Sequence, residues 1–167
     1  MTMNLLFSLV KFGFSLALAL VSLHSAAHGD SKNMSIGQVG NPDQIQRRIE
    51  IDMQDNMRFT PDSIKVKQGD TVLFVIQNSG SVKHEFVLGH PKELLAHNEF
   101  MKTHPDMEHD EDNMVTVQPG ATAELIWQFT SSGTVYFACL QPGHYDAGMK
   151  GQIAVRQVAR KNSAKPH

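Results

Sequence analysis

The sequence predicts an all-β fold, a Greek-key β-sandwich interrupted by one short helical insertion rich in His and Met. Three observations carry that expectation. Apolar and polar residues alternate over several short runs. Turn signals built on Gly and Pro separate those runs. One stretch, residues 91–102, breaks the alternation and spaces its apolar residues as a helix does. The 167 residues suit one domain, and 41% hydrophobic with 19% charged residues is globular composition. A formal net charge of −2 offers no basic excess for nucleic acid.

From the N-terminus, residues 1–27 have the layout of a secretory signal peptide. Lys11 precedes a short apolar stretch, and Ser25, Ala26 and Ala27 supply the small residues of a cleavage site. The stretch is about half the ~20 residues a spanning helix needs, so the expected product is a periplasmic chain that does not span the membrane. Residues 28–46, with Gly29, Gly37, Gly40 and Pro42 and no periodicity, read as a flexible leader before a domain at 47–158. There Ile49, Ile51 and Met53 alternate with Glu50 and Asp52. A turn at 59–62 leads to Ile64 and Val66, alternating with Lys65 and Lys67. After the turn at 68–70, residues 71–77 are apolar on both parities, which predicts a central strand covered on both faces. A loop follows at 78–81, then a short strand at 85–88.

Pro91 suits a first helical position, with Leu94, Leu95, Phe100 and Met101 behind it. Residues 104–113 read as a polar, acidic surface loop. Strands resume at 114–117 and, after Pro119-Gly120, at the alternating Ala123, Leu125, Trp127 and Phe129. Residues 134–139 and 151–158 complete about seven or eight strands, for which antiparallel pairing is expected. A basic tail closes the chain at 159–167.

The chemistry concentrates in one segment. Cys139 is the single cysteine, so an exported chain offers it burial, pairing with another chain, or a metal. Cys139, His144 and Met149 follow the spacing C-x4-H-x4-M between two predicted strands, and the intervening Gly and Pro allow a loop that folds back. A second imidazole is available from His84, at the head of another strand. Two imidazoles and a thiolate with a weak thioether form the ligand set of a type 1 copper site. Zinc takes Cys and His too, but more often completes its shell with a further Cys, His or carboxylate than with Met.

Residues 134–155 (TVYFACLQPGHYDAGMKGQIAV) resemble the last strands and ligand loop of cupredoxins, and 59–78 followed by His84-Glu85-Phe86 resemble their N-terminal half. The x4/x4 spacing is closer to rusticyanin and auracyanin than to plastocyanin. Residues 104–113, 127–130 and 137–144 are similar to the periplasmic copper-tolerance cupredoxins of Gram-negative bacteria. The resemblance implies one copper held by His84, Cys139, His144 and Met149. It also implies a non-enzymatic role in copper tolerance or, alternatively, electron exchange with a periplasmic redox protein. Pro142, Tyr145 and Ala147 are candidates for a docking rim. Two positions depart from the pattern. Glu85 stands where plastocyanin and azurin have an Asn that ties the ligand loops, and Ala138 stands where plastocyanin has Tyr. No His-x-His pair is present to build a multicopper oxygen site.

The insertion adds secondary candidates. His90, His97, Met101, His104, Met107, His109 and Met114 bring imidazoles and thioethers that could hold a weaker second copper, against the alternative of a solvated loop packed on the sandwich. His28 would join its own amine as a Cu(II) chelator if cleavage follows Ala27.

Overall fold

The computed structural model describes residues 35–158 apart from Asp106, Glu108 and His109. The expected signal peptide, the start of the expected leader, His28, His109 and residues 159–167 therefore lie outside the described residues. Ten strands form two five-stranded sheets. One carries β1 (Gln38–Val39), β8 (Thr122–Gln128), β5 (Thr71–Asn78), β2 (Arg47–Gln54) and β3 (Arg58–Thr60), in that order across the sheet. The other runs β4 (Ser63–Lys67), β10 (Lys150–Arg156), β9 (Gly133–Ala138), β6 (His84–Gly89), β7 (Met114–Val117). Among the described residues no helix is long and apolar enough to cross a membrane.

The two-residue period explains the sandwich. Ile51 and Met53 of β2, Val72, Phe74 and Ile76 of β5, and Leu125 and Trp127 of β8 all turn inward and are buried. Facing them are Ile64 and Val66 of β4, Phe86 and Leu88 of β6, Val135 and Phe137 of β9, and Ile153 and Val155 of β10. At the centre the ring of Phe59 meets Phe86 and Phe137 edge-on, with centroids 5.9 and 5.0 Å apart, and Phe74 meets Phe129 the same way.

Three expectations need correcting. The sheets are mixed rather than antiparallel, because β2 pairs with β5 and β4 with β10 in parallel. Between β3 and β5 the chain crosses to the edge of the opposite sheet as β4, so β5 re-enters beside β2 in the same direction; alternation of side chains is blind to strand direction. Residues 36–46 are not an unstructured leader. β1 pairs with β8, Ile36 is buried, and its carbonyl accepts the Trp127 indole N–H at 3.2 Å. Finally, β5 is central but its outer face is only half covered, at Leu73 and Val75, because no layer packs there. The strands beyond the expected seven or eight are the short β1 and β3, too brief to show a period.

The helix α1 (Pro91–Thr103) forms where the sequence places it, with Pro at its start. Leu94, Asn98 and Met101, spaced i, i+4, i+7, form its buried stripe. Leu94 packs with Val87, Met114, Ala138 and Leu140, so the helix covers the outer face of β6 and β9. Both faces of β6 are consequently buried along its whole length.

Candidate metal centre

His84 opens β6 and shares the inward parity of Phe86 and Leu88. Cys139 follows β9 directly and shares the parity of Val135 and Phe137. β6 and β9 are hydrogen-bonded neighbours, which brings the two residues together at one end of the core. Both are fully buried.

The loop after Cys139 folds back on itself. The backbone N–H of His144 donates to Gln141 O at 3.0 Å, that of Met149 donates to His144 O at 3.0 Å, and that of Cys139 donates to Met149 O at 3.1 Å. Gly143 and Gly148 sit at φ +84° and +98°, conformations that side chains resist. The loop is also pinned from outside. Arg58 of β3 donates from Nη1 to Ala147 O at 2.9 Å, and from α1 Lys102 lies 2.9 Å from the Asp146 carboxylate while Asn98 donates to it at 3.4 Å.

The result is a tight triangle of donor atoms. His84 Nδ1 and His144 Nδ1 are 3.2 Å apart, Cys139 Sγ is 3.2 Å from His144 Nδ1, and it is 3.9 Å from His84 Nδ1. The centre of such a triangle lies about 2 Å from each corner, a metal–ligand distance. Among the described residues this is the one place where three His, Cys, Asp or Glu ligand atoms come within 4.8 Å of one another. Met149 is wholly buried where the returning loop meets Cys139. Thiolate, imidazole and thioether donors on a closed loop suit copper, which these residues fit.

The electrostatics of the donor groups follow first from their burial. Burial pushes the Cys139 thiol up to about 12, against backbone N–H groups of Glu85 and Gln141 that favour the thiolate. Burial also lowers both imidazoles, further depressed at His144 by His84 and opposed at each by Asp55. Neutral imidazoles are the form that binds metal. Glu85 supplies the tie between the ligand segments that Asn makes in plastocyanin. Its backbone N–H donates to Cys139 Sγ at 3.3 Å and its carboxylate accepts from Gln141 Nε2.

One contributor was missed from the sequence. Asp55, in the turn between β2 and β3, places Oδ1 3.5 Å from His84 Nε2. It lies in an ordinary polar turn, and no local pattern marks it.

Among the described residues the secondary candidates form no group of three His, Cys, Asp or Glu ligand atoms within 4.8 Å. Met101 and Met114 are buried in packing, His104 stacks on Phe100 with centroids 4.2 Å apart, and Met107 is exposed. His97 is half-buried and borders a shallow surface hollow with Phe100, Met107 and Glu111, while the His90 ring reaches Ser35 Oγ at 2.7 Å. Of the expected rim, Pro142 and Ala147 are exposed, whereas Tyr145 is half-buried beneath the Lys150 ammonium at 4.1 Å.

Comparison with known proteins agrees. Residues 45–156 match the plastocyanin/azurin family of copper binding proteins. The copper-resistant cuproprotein CopI of Rubrivivax gelatinosus is 44% identical over 135 residues, covering 81% of this chain and 82% of that protein. CopI of Pseudomonas aeruginosa is 38% identical over 161 residues, with 79% and 86% covered. Auracyanin B superposes with a TM-score of 0.59 at 24% identity over 70% of this chain and 93% of its own. Reduced auracyanin of Roseiflexus castenholzii does so with 0.57 at 23%, over 66% and 98%. These two likenesses speak for the fold alone. With the family match spanning the sandwich and its donor triangle, and a relative at 44% identity, this chain belongs to the plastocyanin/azurin family of copper-binding proteins.

Proposed function

We propose that this protein is an exported, periplasmic copper protein that serves copper tolerance by holding one redox-active copper at a type 1 site. His84 and His144 would supply imidazoles, Cys139 the thiolate and Met149 a weaker thioether. The observation that carries this reading is the triangle of two Nδ1 atoms and one Sγ with edges of 3.2, 3.2 and 3.9 Å, two of its corners fully buried. The naming of relatives at 44% and 38% identity as copper-resistant cuproproteins supports the tolerance role.

Bound copper supplies a Cu(I)/Cu(II) couple at neutral pH. The chain's own residues do the rest. The buried core excludes water from Cys139, and the Met149–His144 and Cys139–Met149 hydrogen bonds hold three ligand-bearing residues in one closed loop. Arg58, Asn98 and Lys102 brace that loop from two sides. Ligands so held move little between oxidation states, so the role is copper holding and electron exchange rather than substrate turnover.

Copper content and the visible spectrum of the loaded full chain test the site. One strongly coloured Cu(II) per chain is expected, with the colour lost in Cys139→Ser; a colourless complex sinks the assignment. Loss of copper tolerance in a host lacking the protein, and recovery of the chain without residues 1–27 from the periplasm, test the role and the export. A second reading, a dedicated electron carrier, is favoured by the half-buried His144 beside exposed Pro142 and Ala147. More than one copper per chain, with the excess lost on changing His104, Met107 and His109, supports sequestration. A single copper in a chain whose loss leaves copper tolerance unchanged supports the carrier.

A further inference from the structure

We propose that Asp55 is a positioning residue for the copper site, holding His84 in its Nε2–H tautomer and placing a fixed negative charge behind that ligand. This inference rests on the assignment of His84 as a copper ligand.

The two nitrogens of the His84 ring face different surroundings. Nδ1 points into the donor triangle, 3.2 Å from His144 Nδ1 and 3.9 Å from Cys139 Sγ. Nε2 points the other way, to Asp55 Oδ1 at 3.5 Å. The imidazole has no exposed surface, whereas the Asp55 side chain keeps 40% of its own, so the carboxylate retains its charge at small desolvation cost. A carboxylate beside one ring nitrogen draws the proton there and leaves the lone pair of the other for a metal. Nδ1 is thereby the ligand atom, as its place in the triangle requires.

The carboxylate is held in position by a built cradle. The backbone N–H of Ser81 donates to both carboxylate oxygens, at 3.0 and 2.8 Å, and that of Val82 donates to Oδ1 at 3.3 Å. The Ser81 hydroxyl donates to Oδ2 as well. These bonds fix the carboxylate in place. The loop can close on Asp55 only because residue 80 is glycine: a Cβ there would sit 2.2 Å from Asp55 Oδ1. The loop itself is anchored by Asn78, which donates from Nδ2 to Val82 O at 2.8 Å and to Val117 O at 2.9 Å and accepts from Gly80 N–H at 2.9 Å. Two turns distant in sequence thus converge behind one imidazole. A fixed negative charge there stabilises Cu(II) over Cu(I), so its loss raises the reduction potential.

The test compares the full chain with Asp55→Asn, Asp55→Ala and Gly80→Ala. None of these replaces a ligand, and Gly80→Ala displaces the carboxylate by the crowding just described. Nitrogen NMR of copper-free protein reads the His84 tautomer, and voltammetry of loaded protein reads the potential. The expected result is an Nε2–H tautomer in the parent chain, loss of that preference in the variants, and an upward shift of potential in each. A tautomer or a potential that stays at the parent value in both Asp55 variants overturns the proposal. Failure of the copper assignment shows separately, as a parent chain that takes up no coloured copper.

Discussion

Copper binding by this protein should release one proton at neutral pH, and the burial of Cys139 sets how far that dependence extends. The thiol has no exposed surface and is pushed up to about 12, so at pH 7 it carries its proton until a metal displaces it. Ionising it about five pH units below its pKa costs about 7 kcal/mol, which copper–thiolate bonding must exceed. Both imidazoles are lowered by burial and already neutral at pH 7, so they release nothing further. Apparent Cu(II) affinity should therefore rise about tenfold per pH unit, and an ordinary thiol would level off near 9 where this one continues upward. Chelator-buffered copper titrations between pH 7 and 10.5, with proton release read calorimetrically in buffers of different ionisation enthalpy, measure both quantities. A release near zero at pH 7.5, or an affinity that is flat above pH 9, would refute the reasoning by showing a thiolate formed before the metal arrives.

Other expectations concern stability. In the copper-free protein the lowered imidazoles mean that the unfolded chain takes up protons first as pH falls below about 6.5, so stability declines through that range. Urea midpoints at pH 7.5 and 5 should differ in that direction, and the opposite order would be inconsistent with the burial of His84 and His144. Phe74→Ala removes a ring with no exposed surface from the contact with Phe86 and Phe129, and should cost about 3–5 kcal/mol in denaturant unfolding at unchanged m-value. Gly151→Ala places a methyl 2.1 Å from the Phe137 ring and 2.6 Å from Asp62 O, and should cost about 1–3 kcal/mol by the same assay. A neutral result there would mean that β10 can move off the Phe137 ring at no cost.

The sequence alone determined the elements and most of the donor set. Alternation at Ile49, Ile51 and Met53, or at Leu125, Trp127 and Phe129, is a local property that follows from the strand's two-residue period. The helix at Pro91–Thr103 is likewise local, marked by Pro91 and by Leu94, Leu95, Phe100 and Met101, although only Leu94 and Met101 of these turn inward while Leu95 and Phe100 are exposed. Cys139, His144 and Met149 stand in one loop, and their residue types speak for soft-metal chemistry before any fold is known. What the tertiary structure alone decided involves pairs distant in sequence. Strand direction belongs to this class, since β2 lies parallel to β5 only because the chain visits the other sheet between them. So does the packing of residues 36–46, where a short stretch without period is ordered by Trp127 and β8. His84 is named by the family resemblance, yet its meeting with Cys139 takes the pairing of β6 with β9, and the Glu85–Gln141 tie is of the same long-range kind. Asp55 is the extreme case. No sequence pattern marks its turn, and its role arises because Gly80 lets a distant loop close around it behind His84. Local patterns record which residues can ligate a metal, while the second shell that orients them is made of long-range contacts, which no window of sequence contains.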